Sequence, residues 1–96
     1  MLFALLCTDK PNNLELRMKV RADHLAYLGR LENKLKAAGP FLDEAGNPCG
    51  SLVIIEAENR AEAESMAASD PYASAGLFAN VEIKPWRWAL KNPDAA

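Results

Sequence analysis

Two runs of consecutive apolar residues constrain the fold of this 96-residue chain more than any other feature. The first run is Leu2–Cys7, and the second is Leu52–Ile55, inside a strand predicted over Ser51–Ala57. Runs this short and this apolar are typical of β-strands that are buried on both faces. A chain of this length has room for one core. We therefore expect a single domain over residues 1–96, built around a sheet with two covered faces.

The remaining segments predict two helices and two more strands. An amphipathic pattern over Leu14–Ala37, with a stop signal at Gly39-Pro40, predicts a long first helix. Asn59 and Glu62 form a capping-box pattern that predicts a second helix to about Ser69. The other predicted segments are a short extended stretch at Phe41–Glu44, a turn at Ala45–Gly50, a loop at Pro71–Phe78, a last strand at Val81–Trp88 with Pro85 on an edge or bulge, and a frayed tail over 89–96.

The resulting order, β-α-β-β-α-β, is that of the ferredoxin-like α+β fold, a four-stranded antiparallel sheet with two helices on one face. Two helices on one face leave the second face open, yet both apolar runs are apolar on both sides. Sheet-to-sheet packing of two copies is the simplest cover. We therefore predict a homodimer formed through the sheet faces, with higher oligomers left open.

Composition and motifs argue against several classes of function. Eleven basic and thirteen acidic residues give a net charge of −2 without a basic block, so we expect no nucleic-acid partner. The longest uncharged apolar run, Met1–Thr8, is too short to span a membrane and lacks the features of a signal peptide, so we expect a cytoplasmic protein. One His and two Cys without close spacing predict no metal site, and neither dinucleotide nor P-loop motifs indicate a cofactor.

The first predicted helix carries three cationic or titratable residues on its inward side. At 100° per residue, Arg21 falls in the middle of the apolar stripe, and Arg17 and His24 fall on its margin; the stripe comprises Leu14, Met18, Leu25 and Leu28. Pairing with glutamates at the helix edge would explain a single inward Arg. Three such groups at steps of four and three favour a binding or catalytic site.

Three residues outside this helix are further candidates. Asp70 follows a helix C-terminus, where a carboxylate is disfavoured by roughly 0.3–1 kcal/mol; local signals nevertheless favour its structural role as the N-cap of a short turn that begins with Pro71. The Ser51 hydroxyl could bind a ligand, but no Gly-x-Ser-x-Gly elbow marks it as a nucleophile. Tyr72 could line a pocket or fill the end of the sheet.

In its ordered short motifs, the chain resembles the YciI-like (YCII-related) family from Leu2 to about Trp88. The residues that carry the resemblance are Arg17, Arg21-Ala-Asp-His24-Leu25, Ala38-Gly39-Pro40, Gly50-Ser51, Asp70-Pro71-Tyr72, Ala75-Gly76 and Val81-Glu82-Ile83-Lys84-Pro85. The resemblance implies a ferredoxin-like, dimeric α/β barrel. It also implies a proposed active centre of one His and one Asp, which correspond to His24 and Asp70. Some relatives are dehydrochlorinases, and muconolactone isomerase shares the wider fold.

These observations leave an enzyme and a binding module both open. In the enzyme hypothesis, His24 is a general acid or base oriented by Asp70, and Arg21, with Arg17 behind it, holds a carboxylate or enolate oxygen. Ser51 and Tyr72 then provide hydrogen bonds or cavity wall, and the substrate is small, anionic and cyclic. The reaction would be of hydrolase, lyase or isomerase type and need no metal. The alternatives are a non-catalytic sensor or accessory dimer that binds a small acid, and a structural dimer with a filled pocket.

Overall fold

The computed structural model describes residues 1–93 and contains the four strands and both predicted helices. The elements are β1 (Leu2–Asp9), α1 (Leu14–Arg30), a 3-10 turn (Glu32–Lys34), β2 (Leu35–Leu42), β3 (Pro48–Glu56), α2 (Arg60–Ala68), α3 (Pro71–Ser74) and β4 (Phe78–Trp86). The strand order is β2-β3-β1-β4, and each neighbouring pair is antiparallel. The predicted ferredoxin-like α+β fold is therefore confirmed.

The two apolar runs occupy the two central strands. In β1 and β3, alternate residues such as Phe3, Leu5, Val53 and Ile55 form the core with the inner sides of the helices. Both strands have neighbours on each side, so their backbone groups are paired along their length. This pairing and the adjacent helices explain why charged residues are absent from the centres of these strands.

The first helix is shorter than predicted, and the difference creates a strand. Helix α1 ends at Arg30 rather than Ala37, and Leu35–Leu42 is β2, which includes Gly39 and Pro40. Pairing of Leu35–Leu42 with β3 outweighs the helical propensity of this segment. Because β2 is an edge strand, the missing N–H of Pro40 is tolerated there. The predicted extended stretch at Phe41–Glu44 is thus only the end of a longer strand.

The predicted orientation of α1 is correct for Arg17, His24 and Leu28 but wrong for Arg21 and for the rest of the apolar stripe. The side chains that face the sheet are Arg17, His24 and Leu28, at steps of seven and four. The members of the predicted apolar stripe other than Leu28 are exposed: Leu14, Met18 and Leu25. Arg21 is exposed as well. Polar partners in the sheet and in α3, described below, bind the inward Arg and His, so these polar side chains are buried in preference to leucines.

The C-terminal half follows the prediction more closely. The Asn59 side chain accepts a hydrogen bond from the Glu62 backbone N–H at 2.9 Å and caps α2 as expected. The loop predicted over Pro71–Phe78 contains the four-residue helix α3. Strand β3 begins at Pro48 rather than Ser51, and β4 spans Phe78–Trp86 rather than Val81–Trp88. Pro85 lies on an edge strand as predicted, whereas the end of the predicted tail, residues 94–96, lies outside the described residues.

The second face of the sheet is apolar along β1 and β3, carries Glu82 and Lys84 on β4, and has no helix of the described chain against it. Alternation along β1 and β3 directs Ala4, Leu6, Leu52 and Ile54 to this face, opposite the core. Ala4 and Ile54 are buried by their neighbours, and Phe41 on β2 is 43% exposed. Within residues 1–93, no helix has the length and apolar character needed to cross a membrane.

Candidate active site

A buried hydrogen bond joins the single His of the chain to a carboxylate more than forty residues away. His24 Nδ1 lies 2.9 Å from each carboxylate oxygen of Asp70. The His24 and Asp70 residues are 7% and 6% exposed. Asp70 ends the connection after α2 and caps α3, where its Oδ1 also accepts the backbone N–H of Tyr72 at 2.9 Å. The two roles weighed for Asp70, capping and contact with His24, are therefore compatible.

This geometry determines which nitrogen of His24 is available. An ionised carboxylate only accepts hydrogen bonds, so Nδ1 carries the proton. In the neutral ring, Nε2 is then an unprotonated acceptor. The ring lines a cavity, so Nε2 is the nitrogen that remains for a ligand. The arrangement is that of a base whose tautomer is selected by a carboxylate behind it.

A second buried carboxylate holds Arg17. The Arg17 guanidinium donates to Asp9 from Nε at 2.6 Å and from Nη2 at 3.0 Å, and Nη2 also donates to Ser51 Oγ at 2.9 Å. The two side chains of the ion pair are 5% and 6% exposed. Burial lowers the pKa of Arg17, but the hydrogen bond and charge of Asp9 more than offset this effect and the net direction is upward. Arg17 therefore remains charged at every pH at which the protein is folded.

The cavity lies between α1 and the edge of the sheet and has a volume of about 220 Å³. Its polar wall consists of Arg17, Arg21, His24 and Ser51. Its apolar wall consists of Leu25, Leu28, Ala38, Gly39, Pro40, Pro48 and Val53. Short side chains on β2 leave this space open beside the helix. Arg21 has no ion pair among the residues that the structure describes, so its charge is available to an anion in the cavity.

Five of the six predicted site residues meet in this region as side chains of one cluster, and Arg21 lies at the cavity beside them. Tyr72 does not line the cavity; its ring is 1% exposed and stacks behind His24 at a centroid distance of 4.0 Å. Burial raises the pKa of the Tyr72 phenol, which therefore stays neutral. Tyr72 thus contacts the site through the His24 ring and not through the cavity.

Asp9 was not identified as a site residue from the sequence. Asp9 stands directly before Lys10 and Pro11, in a segment that is typical of a turn after a strand. Asp9 is the last residue of β1, and its side chain points to the same face as Cys7 and Leu5. A carboxylate that continues the inward alternation of a buried strand was the available signal, since such a group requires a cationic partner. The prediction that Arg17 faces inward provides that partner.

Gly50 allows β3 to approach β1 directly beside Ser51. A Cβ atom at position 50 would lie 2.4 Å from the backbone oxygen of Cys7. Only glycine therefore fits the observed separation of the two strands here. The close approach places Ser51 next to Arg17, so this backbone contact is part of how the site is built.

Cys7 lies beside the site, and its thiol is protonated and unreactive at neutral pH. Burial, with a further contribution from the charge of Asp70, raises the pKa of the Cys7 thiol to about 12. Both Cys7 and Cys49 are free thiols. Among residues 1–93, no group of three His, Cys, Asp or Glu side chains is placed to hold a metal ion.

The fold and this geometry define the class: a small ferredoxin-like α+β protein with a buried His–carboxylate pair beside a cavity of small-molecule size. The YCII-related domain matches residues 1–87, and the chain belongs to that family. It is 43% identical to an uncharacterized protein of Haemophilus influenzae in an alignment that covers 91% of this chain and 97% of that protein. It is 38% identical to protein YciI of Escherichia coli, with the same coverage.

Among solved structures, the chain is similar to a 5-chloro-2-hydroxyhydroquinone dehydrochlorinase, TftG, of Burkholderia phenoliruptrix, in complex with 2,5-dihydroxybenzoquinone. The sequences are 37% identical, the TM-score is 0.83, and the comparison covers 91% of this chain and 94% of that one. Protein Atu4242 of Agrobacterium tumefaciens shares the fold at 20% identity, with a TM-score of 0.56 and coverage of 97% and 98%.

Proposed function

We propose that this protein is an enzyme in which His24 performs acid–base chemistry on a small anionic ring compound. The observation that carries the proposal is that Nδ1 of His24 is bound to a buried carboxylate while the ring lines a cavity. Nε2 accepts a proton from the substrate, and Asp70 balances the charge of the imidazolium that forms. In a later step of the same turnover, the imidazolium gives this proton to the leaving group or to another atom of the product, which regenerates the neutral ring.

The polar wall suggests how the substrate is held. Arg21 lines the cavity, has no ion pair within residues 1–93, and attracts a carboxylate or enolate oxygen. Ser51 already accepts a hydrogen bond from Arg17, so its own hydroxyl hydrogen is free to donate to a second substrate oxygen. Arg17 supports Ser51, and its positive charge is balanced by Asp9.

The size of the cavity and the similarity to TftG support a monocyclic substrate. A protein cavity of about 150 Å³ accepts benzene, and about 220 Å³ leaves room for oxygen substituents on one ring. The TftG structure contains 2,5-dihydroxybenzoquinone, a ring of this size that carries oxygens around its edge. We take the elimination of HCl from a chlorinated hydroxyhydroquinone as the first reaction to test.

The decisive experiment measures chloride release from 5-chloro-2-hydroxyhydroquinone, and separately the binding of 2,5-dihydroxybenzoquinone, in the wild type and in His24→Gln. Loss of a general base lowers turnover by about 100-fold to 10,000-fold. The proposal predicts this loss together with retained binding. Unchanged turnover in His24→Gln contradicts a role in proton transfer.

A matched pair of variants tests whether the cavity is the binding site. Ala38 lines the cavity, whereas Ala61 is an exposed residue of α2 that does not line it. Ala38→Leu fills the cavity and should abolish binding of 2,5-dihydroxybenzoquinone, whereas Ala61→Leu should leave it unchanged. Equal effects of the two substitutions contradict this placement of the ligand.

A non-catalytic sensor or accessory dimer gives a different pattern in the same experiments. Binding would be lost in Arg21→Ala and kept in His24→Gln, and no proton-transfer reaction would be found in the wild type. The buried Asp70 behind His24 favours the enzyme, because it selects the tautomer in which Nε2 can accept a proton, and a pocket that only binds anions does not need such an acceptor.

We also propose a homodimer in which the second faces of two sheets pack together. Ala4, Leu6, Leu52 and Ile54 provide an apolar centre for this contact. Analytical ultracentrifugation should give twice the 10.5 kDa chain mass. Leu52→Glu, on that face, should yield a monomer, whereas Leu25→Glu, on α1, should not.

A cytoplasmic location fits the two free thiols.

A further inference from the structure

Three side chains form a stack behind the cavity. The His24 and Tyr72 rings are nearly parallel, with 17° between their planes and 4.0 Å between centroids. The guanidinium carbon of Arg17 lies 4.6 Å from the centroid of the same Tyr72 ring. Arg17 and His24 are two turns apart on α1, about 10.5 Å along the axis. Because the His24 ring covers one face of the phenol ring, the guanidinium occupies the other.

Each member of this stack is held by a contact outside it. Asp9 binds Arg17 through two hydrogen bonds. The Asp70 carboxylate accepts one hydrogen bond from the backbone N–H of Tyr72 and another from Nδ1 of His24. Phe78 packs against the Tyr72 ring at 78° and 6.0 Å between centroids. With 1% of Tyr72 exposed, the phenol ring is packed on all sides by other parts of the chain, which opposes tilting.

The Asp70 hydrogen bond by itself does not determine the plane of the His24 ring. Both carboxylate oxygens lie 2.9 Å from Nδ1, so the imidazole could rotate about the line from Nδ1 to the carboxylate without losing its acceptor. Such a rotation would move Nε2 away from the cavity. Stacking on Tyr72 opposes it, because the two rings would no longer be parallel.

We infer that Tyr72 is a positioning residue whose ring face, and not its hydroxyl, fixes the plane of His24 and so aims Nε2 into the cavity. The inference rests on the proposed function of His24. Tyr72 was expected to contact the substrate, and the inference instead places its role behind the His24 ring. Arg17 supports the ring from its far face. The stack therefore connects the two buried carboxylates, Asp9 and Asp70, through one rigid line of side chains.

The single His of the chain makes this inference directly measurable by NMR on the ¹⁵N-labelled full chain without ligand. The wild type should show one sharp set of ring signals, with the proton on Nδ1. Tyr72→Phe keeps the ring and should keep this spectrum. Tyr72→Leu and Tyr72→Met remove the ring and should broaden the signals or split them between ring orientations, while the proton stays on Nδ1. Tyr27→Leu is the packing control. It removes a ring whose hydroxyl donates a hydrogen bond to the Met66 carbonyl, and it should leave the His24 signals unchanged.

Several outcomes overturn the inference. A wild-type spectrum in a folded Tyr72→Leu or Tyr72→Met protein means that the ring is not needed. A changed spectrum in Tyr72→Phe assigns the role to the hydroxyl. Should both ringless variants fail to fold, the wild type provides the test: carbon-bound protons of a ring stacked at 4.0 Å shift upfield, and signals at free-imidazole positions contradict the stack.

Turnover separates this inference from the proposed function. With a substrate, the ringless variants should lower kcat by about 100-fold, as expected for a misplaced catalytic group, with little change in KM. Tyr72→Phe should restore the wild-type kcat. The wild-type protein could show the NMR signals described above and still catalyse no proton transfer. That result would contradict the proposed function but not the positioning of His24 by Tyr72.

Discussion

Asp70→Asn separates the two roles of Asp70, because it keeps the shape of the side chain and removes its charge. Asn is as good an N-cap as Asp, so its amide oxygen should stay at the Oδ1 position and accept the Tyr72 N–H. The NH₂ group then takes the Oδ2 position, 2.9 Å from Nδ1 of His24. Nδ1 then lies beside a donor as well as beside the retained amide oxygen, which removes the strong preference for a proton on Nδ1 and populates the tautomer with the proton on Nε2. That tautomer cannot accept a proton from a substrate.

The expected magnitude follows from this change of tautomer. In Ser-His-Asp hydrolases, the same substitution behind a catalytic His lowers kcat by about 10,000-fold, or about 5.5 kcal/mol of activation free energy. Stability should change far less, because the cap of α3 is retained. Asp70→Ala is the comparison: it loses the cap, about 1 kcal/mol, and the bond to His24, about 1.5–3 kcal/mol.

The assay combines chloride release from 5-chloro-2-hydroxyhydroquinone with urea unfolding of both variants. The expected pattern is a nearly inactive, stable Asp70→Asn protein and an inactive, destabilised Asp70→Ala protein. Asp70→Asn with more than about a tenth of wild-type kcat refutes the reasoning, because a lost tautomer preference affects the rate far more strongly.

Four further predictions concern residues in and around the site. Arg17→Ala leaves Asp9 buried without a cation and should lower the free energy of unfolding by about 3–5 kcal/mol in urea titrations; a change below about 1 kcal/mol contradicts the burial of this pair. Gly50→Ala places a Cβ against the β1 backbone and should lower it by roughly 1–3 kcal/mol, whereas Gly29→Ala, with open space around it, should not. Iodoacetamide at pH 8 should modify exposed Cys49 and spare Cys7 until the protein unfolds, as mass spectrometry can establish. The folded pKa of Cys7, about 12, lies above its ordinary 9.0, so its contribution to stability is complete below pH 9 and is lost as the pH rises from 9 to 12; Cys7→Ala should remove that part of the alkaline stability loss.

The order of the four strands and two main helices, and the two central strands, follow from local patterns along the chain. Leu2–Cys7 and Ser51–Ala57 are apolar on both sides, which only a strand between two neighbours and two layers satisfies. The cap of α2 at Asn59 and the edge position of Pro85 are likewise local, because each depends on one residue type and its immediate neighbours. Local chemistry of this kind can be read directly from the chain.

The end of α1, its orientation and the assembly of the site depend on contacts between distant segments. Leu35–Leu42 is a strand only because β3 offers it a pairing partner, and Arg17 and His24 face inward only because Asp9 and Asp70 lie opposite them. These carboxylates are eight and forty-six residues away from their partners. A periodic pattern can indicate that a residue lies near a buried face, but hydrogen bonds between distant segments determine whether an Arg or a Leu occupies it, since a buried charge is stable only with its partner in place.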